Sequence, residues 1–108
     1  MPMHVIVYIT ASSAKEASEI AEALLKERLA ACANVVESIK STYWWKGNLE
    51  CDDESLIILK TTERKFDELA ARAKELHSYE NPEIVALPIL KGSSDYLAWI
   101  DAEVDPKS

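Results

Sequence analysis

Hydrophobic and polar positions alternate along this chain in blocks whose period changes from one segment to the next. His4–Thr10 is a β-branched and aromatic run, apolar on both parities and too short for a stable helix, and it predicts a strand covered on both faces. Ser13-Ala14-Lys15-Glu16 fits the S-x-x-E capping box, in which a hydroxyl and a carboxylate satisfy amides freed at a helix start. From there Ala17, Ile20, Ala21, Leu24 and Ala31 recur on one helical face, with Glu16, Glu19, Glu22, Lys26 and Glu27 pointing away. Arg28 falls inside the apolar arc, and the pattern predicts a guanidinium that lays its methylene stem on the core edge.

Extended character resumes at Ala33, and from Ser38 the parity separates Ile39, Ser41, Tyr43 and Trp45 from Ser38, Lys40, Thr42 and Trp44. Lys46-Gly47-Asn48 supplies a turn that tolerates positive φ, and Leu49 through Thr61 form the return arm of a hairpin. At full length both arms outrun a core of this size and expose Trp44 and Trp45 on opposite faces, a feature that calls for a partner. A second helix runs from about Arg64 to near His77, with Phe66, Leu69, Ala70 and Ala73 as its apolar face. Pro82 breaks it, Glu83–Leu87 reads as a fourth strand, and Pro88 marks a bulge or a sheet edge. Ser93 or Ser94 then caps a short last helix over Asp95–Ile100. The order β-α-β-β-α-β plus a helix predicts an α+β, ferredoxin-like fold over a single domain spanning residues 1–108.

Composition narrows the function classes. With 48% hydrophobic and 29% charged residues the chain can build a core, and its net charge of -7 repels phosphate backbones and anionic lipid, so neither nucleic acid nor membrane is expected as a partner. No apolar run reaches the ~20 residues of a membrane span, and Met1-Pro2-Met3-His4-Val5 lacks the pattern of a signal peptide, which points to the cytoplasm. Cys32 and Cys51 form no C-x-x-C pair and read as reduced thiols.

More specific are E-R-L-A-A-C-A-N-V at Glu27–Val35, Y-W-W-K-G at Tyr43–Gly47, L-K-T-T at Leu59–Thr62, H-S-Y-E-N-P-E-I-V-A-L-P-I at His77–Ile89, and Y-L-A-W-I at Tyr96–Ile100. In this order and spacing the chain resembles the CutA family, the divalent-cation tolerance proteins, from Val5 to about Glu103. The resemblance implies a tight homotrimer in which the long hairpins pair with neighbouring subunits, placing Tyr43, Trp44, Trp45 and Trp99 at the trimer interface. It further implies tolerance of copper (Cu2+) and other divalent cations, weakly bound, and no catalysed reaction. A trimeric signalling or scaffold module resembling the PII proteins, with a small effector between subunits, is the alternative.

His77 is the leading candidate metal ligand, since imidazole suits Cu(II) and the residue matches the family's histidine. At a helix end it could instead cap carbonyls. Some relatives carry a cysteine in strand one and a second histidine before the matching one; Ile9 and Leu76 stand there in this chain, so copper would meet His77 with oxygen donors. Cys32 matches a family cysteine and reads either as a ligand or as a small buried hydrophobe. Glu50, Asp52, Asp53 and Glu54 around Cys51 form a candidate weak hard-cation patch or a solvated stretch. Glu54 and Lys60 match family positions but lie roughly 20 Å apart at ~3.3 Å per residue, so each is expected to meet Tyr79, Glu83 or another chain, in an inter-subunit contact or cleft.

Overall fold

The computed structural model describes residues 3–106. Its elements are β1 (His4–Ala11), α1 (Ala14–Lys26), β2 (Cys32–Trp45), β3 (Asn48–Thr62), α2 (Phe66–Leu76), β4 (Ile84–Pro88) and α3 (Ser94–Val104), with a short 3-10 turn at Glu63–Lys65 leading into α2. The strands lie in the order β2-β3-β1-β4 and every neighbouring pair is antiparallel, which is the split βαβ arrangement of a ferredoxin-like fold.

Strand alternation sorts the sheet into two faces. Val5, Val7, Ile9 and Ala11 of β1 and Ile57 and Leu59 of β3 are buried with Ala17, Ile20, Ala21 and Leu24 of α1 and Leu69 and Ala73 of α2. Each fully buried Ile or Leu in this layer contributes about 1.5–3 kcal/mol. The second face carries Ile6, Tyr8, Val36, Leu56, Ile58, Val85 and Leu87 by register. α3 lies against one end of it, where the Tyr96 hydroxyl is 3.4 Å from Cys32 Sγ and His4 Nε2 is 3.0 Å from Asp101.

Two details of α1 differ from the sequence expectation. The Ser13 hydroxyl accepts the Glu16 amide at 3.1 Å, but the Glu16 carboxylate bonds the amide and hydroxyl of Ser12 instead of the Ser13 amide. The helix also stops at Lys26, so Ala31 and Arg28 are not on its face. Arg28 takes a left-handed φ of 61° and the Leu29 amide bonds back to Leu24 O at 3.0 Å, the Schellman closure that usually recruits glycine. Its guanidinium turns outward and binds the Glu103 carboxylate at 2.7 Å. α3 runs to Val104, longer than expected, because Ile100 and Val104 are buried. β4 is an edge strand ending at Pro88, which suits a residue without an amide.

The hairpin turns through Lys46 (φ 50°) and Gly47 (φ 84°), the two positive φ values a tight two-residue turn demands. Between Val36 and Ile39 the register slips by one residue, forming a β-bulge. The Ser55 hydroxyl, buried opposite it, donates to the Glu37 carbonyl at 2.6 Å. Beyond Ala11, paired with Ser55, β3 has lost the cover of β1, and the two arms project until the molecule measures 48 × 26 × 22 Å.

Candidate functional site

At the root of the projecting hairpin, the segment after α2 is held by side chains from three elements. His77 leaves the helix with extended backbone, and its ring is fully buried. Nδ1 accepts the Tyr79 amide at 3.0 Å, so the proton of the neutral ring sits on Nε2, which donates to the Thr10 carbonyl at 2.7 Å. Glu16 reaches the same segment from α1: one carboxylate oxygen accepts the Ser78 amide at 2.8 Å, and the other accepts both Ser12 donors. Burial alone would raise the Glu16 carboxyl, but hydrogen bonds from Ser12 and Ser78 outweigh it and hold the group at about 2.

These bonds aim Tyr79 at β3. Its hydroxyl donates to Glu54 Oε2 at 2.7 Å, and burial together with that bond to the carboxylate pushes the phenol well above its ordinary range. Tyr79 also packs on the His77 ring, with centroids 4.7 Å apart. Above the pair opens a cleft of about 860 Å3, walled by Lys40–Trp45 of β2 on one side and Ser78–Glu83 on the other. Glu54, Tyr79, Glu83, Tyr43, Trp44 and Trp45 all line this cleft, with His77 supporting its floor.

Cys32, Lys60 and Trp99 lie elsewhere. Cys32 pairs with Lys60 at the opposite end of the β2–β3 ladder, where Lys60 Nζ donates to Asn34 Oδ1 at 2.6 Å. Trp99 packs on Tyr96, with ring centroids 5.5 Å apart. The hydrogen bond with Cys32 is the main cause that raises the Tyr96 phenol. The acidic stretch of the hairpin does not converge either. Alternation puts Glu50, Asp52 and Glu54 on one face and Asp53 on the other. Tyr43 donates to Asp52, which pushes its phenol up to about 12, and Lys40 pairs with Asp53 at 3.0 Å.

Among the described residues no group of three His, Cys, Asp or Glu side chains is placed to hold a metal ion. His77 also offers no free lone pair, because the Tyr79 amide uses it. The described residues of one chain therefore do not fit a tight transition-metal centre. Sequence reasoning missed Glu16, Thr10 and Lys40 at this site. Glu16 was legible only as a local cap, and the Thr10 contribution is a backbone carbonyl that no side-chain pattern announces.

Fold and site together define a class: a ferredoxin-like α+β protein with an overlong hairpin and a polar, aromatic cleft at its root. The CutA1 divalent ion tolerance protein family matches residues 5–103, and this chain belongs to that family. It is 46% identical to the divalent-cation tolerance protein CutA of Archaeoglobus fulgidus, covering 95% of this chain and 100% of that one. The structure described as the periplasmic divalent cation tolerance protein CutA from that organism superposes with a TM-score of 0.92 over the same shares. The Thermus thermophilus structure is 48% identical, covering 91% of this chain and 95% of its own, with a TM-score of 0.89. CutA1 from Oryza sativa gives 0.90 at 39% identity over 94% and 93%, and the rice relative is named as chloroplastic. No helix among the described residues is long and apolar enough to cross a membrane.

Proposed function

We propose that this chain works as a cytoplasmic homotrimer of a single domain, in tolerance of divalent cations, with a weak contact to copper or a related ion and no catalysed turnover. The observation that carries the trimer is the second sheet face, where Val36, Val85 and Leu87 remain substantially exposed beside α3, which covers only one end and itself exposes Tyr96 and Trp99. β2 and β4 also leave two outer edges unpaired within the chain, and head-to-tail pairing of unlike edges closes a ring. Trp44, at 72% exposure, stands opposite Leu49, at 61%, as an apolar pair on one face near the hairpin tip, with Tyr43 and Trp45 on the other face and Trp99 on α3, surfaces for neighbouring subunits to cover. Cys32 and Lys60 then lie toward one boundary, and Glu54, Tyr79 and Glu83 toward another.

The role in cation tolerance rests on the family and on the names its relatives carry. Weakness follows from the site: an ion at His77 must displace the Tyr79 amide or the Thr10 carbonyl and find its remaining ligands on carboxylates or a second subunit. Calorimetric titration of Cu(II) into metal-stripped protein tests this, with light scattering to confirm trimers of wild type and His77→Ala. A saturable phase lost in the variant supports the His77 contact; an unchanged phase removes His77 from the ligand set. Complete absence of binding favours the second reading, a PII-like effector module, for which the 860 Å3 cleft is the specific support.

A further inference from the structure

α3 is seated on the sheet by few apolar contacts, since Ile100 and Val104 alone among its residues are buried. The rest of its seat is ionic. Along its C-terminal half, basic side chains from three different parts of the chain reach it. His4 of β1 lies 3.0 Å from Asp101, Arg28 after α1 lies 2.7 Å from the Glu103 carboxylate and also donates to the Glu103 carbonyl, and Arg64 after β3 lies 3.5 Å from Asp105. Two local costs sit in the same place. Arg28 holds a left-handed φ of 61°, uncommon for a residue with a Cβ, and the Thr62 hydroxyl is buried with no hydrogen-bond partner among the described residues. A helix with so little apolar anchorage belongs to the low-stability end of a fold, and backbone strain collects in segments that switch.

Arginine stays charged throughout, whereas histidine changes charge between about pH 5 and 8, so His4 is the one variable member of this clamp. The Asp101 carboxylate can only accept, so Nε2 carries a proton in both charge states, and a second proton on Nδ1 turns a hydrogen bond into an ion pair. Thr62 stands directly across from His4 on β3. Because the Glu63 amide bonds the Met3 carbonyl at 2.8 Å, His4 and Thr62 form a non-hydrogen-bonded pair, the kind that brings facing side chains closest. The unpartnered Thr62 oxygen is thus an acceptor on the adjoining side chain for the N–H that protonation adds. Other charged groups around His4 are engaged: Asp105, one turn along α3, with Arg64, Glu103 with Arg28, and Lys60 of β3 with Asn34. Lys91, on the connection to α3, is exposed, and β4 brings Val85 and Leu87 to this face. Tyr8 lies further along β1, and Cys32 and Tyr96 bond one another at the far half of the helix.

We propose that α3 is a pH-sensitive latch, seated more firmly when His4 is protonated and released more readily as pH rises through the neutral range. An imidazolium paired with a carboxylate contributes at the acid end of that range and fades toward the alkaline end. Tyr96 and Trp99 are carried on this helix, so its seating sets how rigidly their exposed rings are presented to whatever covers the second sheet face. The device acts within one chain and needs no metal ion.

Hydrogen exchange of the full chain in metal-free buffer at about pH 5.5 and about pH 7.5, spanning the histidine range, tests this. Rates are normalised to those of unstructured peptide at each pH. Protection of the Ile100–Val104 amides is expected to be about twofold to fivefold higher at the lower pH, the scale of a partly exposed ion pair, relative to the amides of α1 and α2. That difference should vanish in His4→Gln and in Asp101→Asn, while Arg28→Gln should lower α3 protection by the same factor at both pH values. Asp101 is exposed, so its variant decides the matter if His4→Gln fails to fold. A flat or inverted wild-type profile overturns the proposal, as does a pH effect shared equally by α1 and α2, which would mark global stability. His77, the other of the two histidines, is intact in every variant, so a pH effect that survives in both pair variants arises away from His4 and overturns it too.

Discussion

Tyr79 donates its hydroxyl to Glu54 Oε2 at 2.7 Å, tying the segment that follows α2 to the point where β3 leaves the shelter of β1. Tyr79→Phe removes this donor and leaves the buried carboxylate without it, a loss of about 1–3 kcal/mol. Urea unfolding of the two proteins at neutral pH checks this; an unchanged midpoint would show that Glu54 finds water instead.

His77 spends both ring nitrogens on backbone groups, so its loss is expected to be felt in stability whatever its role with metal. His77→Ala leaves the Thr10 carbonyl and the Tyr79 amide unpaired and opens a cavity under the Tyr79 ring. The expected cost is about 2–4 kcal/mol, measured by thermal and denaturant unfolding without metal. Hydrogen exchange at the Tyr79 amide should accelerate in the same variant, a change that a purely metal-binding histidine would not produce.

Glu16 carries an acid-stability signature. Its carboxyl is lowered in the folded state to about 2, so its contribution is fully present above the ordinary carboxylate range of about 4.3–4.5 and fades as pH falls toward 2. Glu16→Gln should be less stable than wild type at pH 7, with the difference shrinking between about pH 4.5 and 2. Stability curves for both proteins across that window give the readout; parallel curves would contradict the assignment.

Ser55 repairs the bulge in β2 by donating to the Glu37 carbonyl from a buried position. Ser55→Ala should cost about 1–3 kcal/mol. Ser55→Thr keeps the hydroxyl but adds a methyl to a packed site, and should recover part of the loss if its rotamer preserves the bond. Comparing the unfolding free energies of the three proteins separates hydrogen bonding from packing.

Local patterning made most of the architecture readable. The apolar run in β1, the 3.6-residue stripe of α1 and the positive-φ turn at Lys46-Gly47 each state a local preference that tertiary packing reinforces. Where the sequence reading slipped, packing had overruled periodicity. Arg28 continues the helical phase on paper, yet the chain turns left-handed there so that Leu29 and Ala30 can enter the core. The bulge before Ile39 was invisible because alternation on either side of it looks regular, and only pairing with β3 reveals the extra residue.

For the site, the sequence by itself determined the chemical inventory: a histidine at a helix end, a tyrosine two residues on, carboxylates and tryptophans on a long hairpin. It also carried the family likeness, because motif order and spacing are properties of the chain alone. Only the tertiary structure decided that the His77 nitrogens are both engaged, that Glu16 serves Ser12 and Ser78, that Glu54 meets Tyr79, and that Lys60 and Cys32 lie far from that pair. The physical reason is that hydrogen bonds and burial are set by distances in space between groups remote along the chain, and periodicity reports only which face a residue occupies.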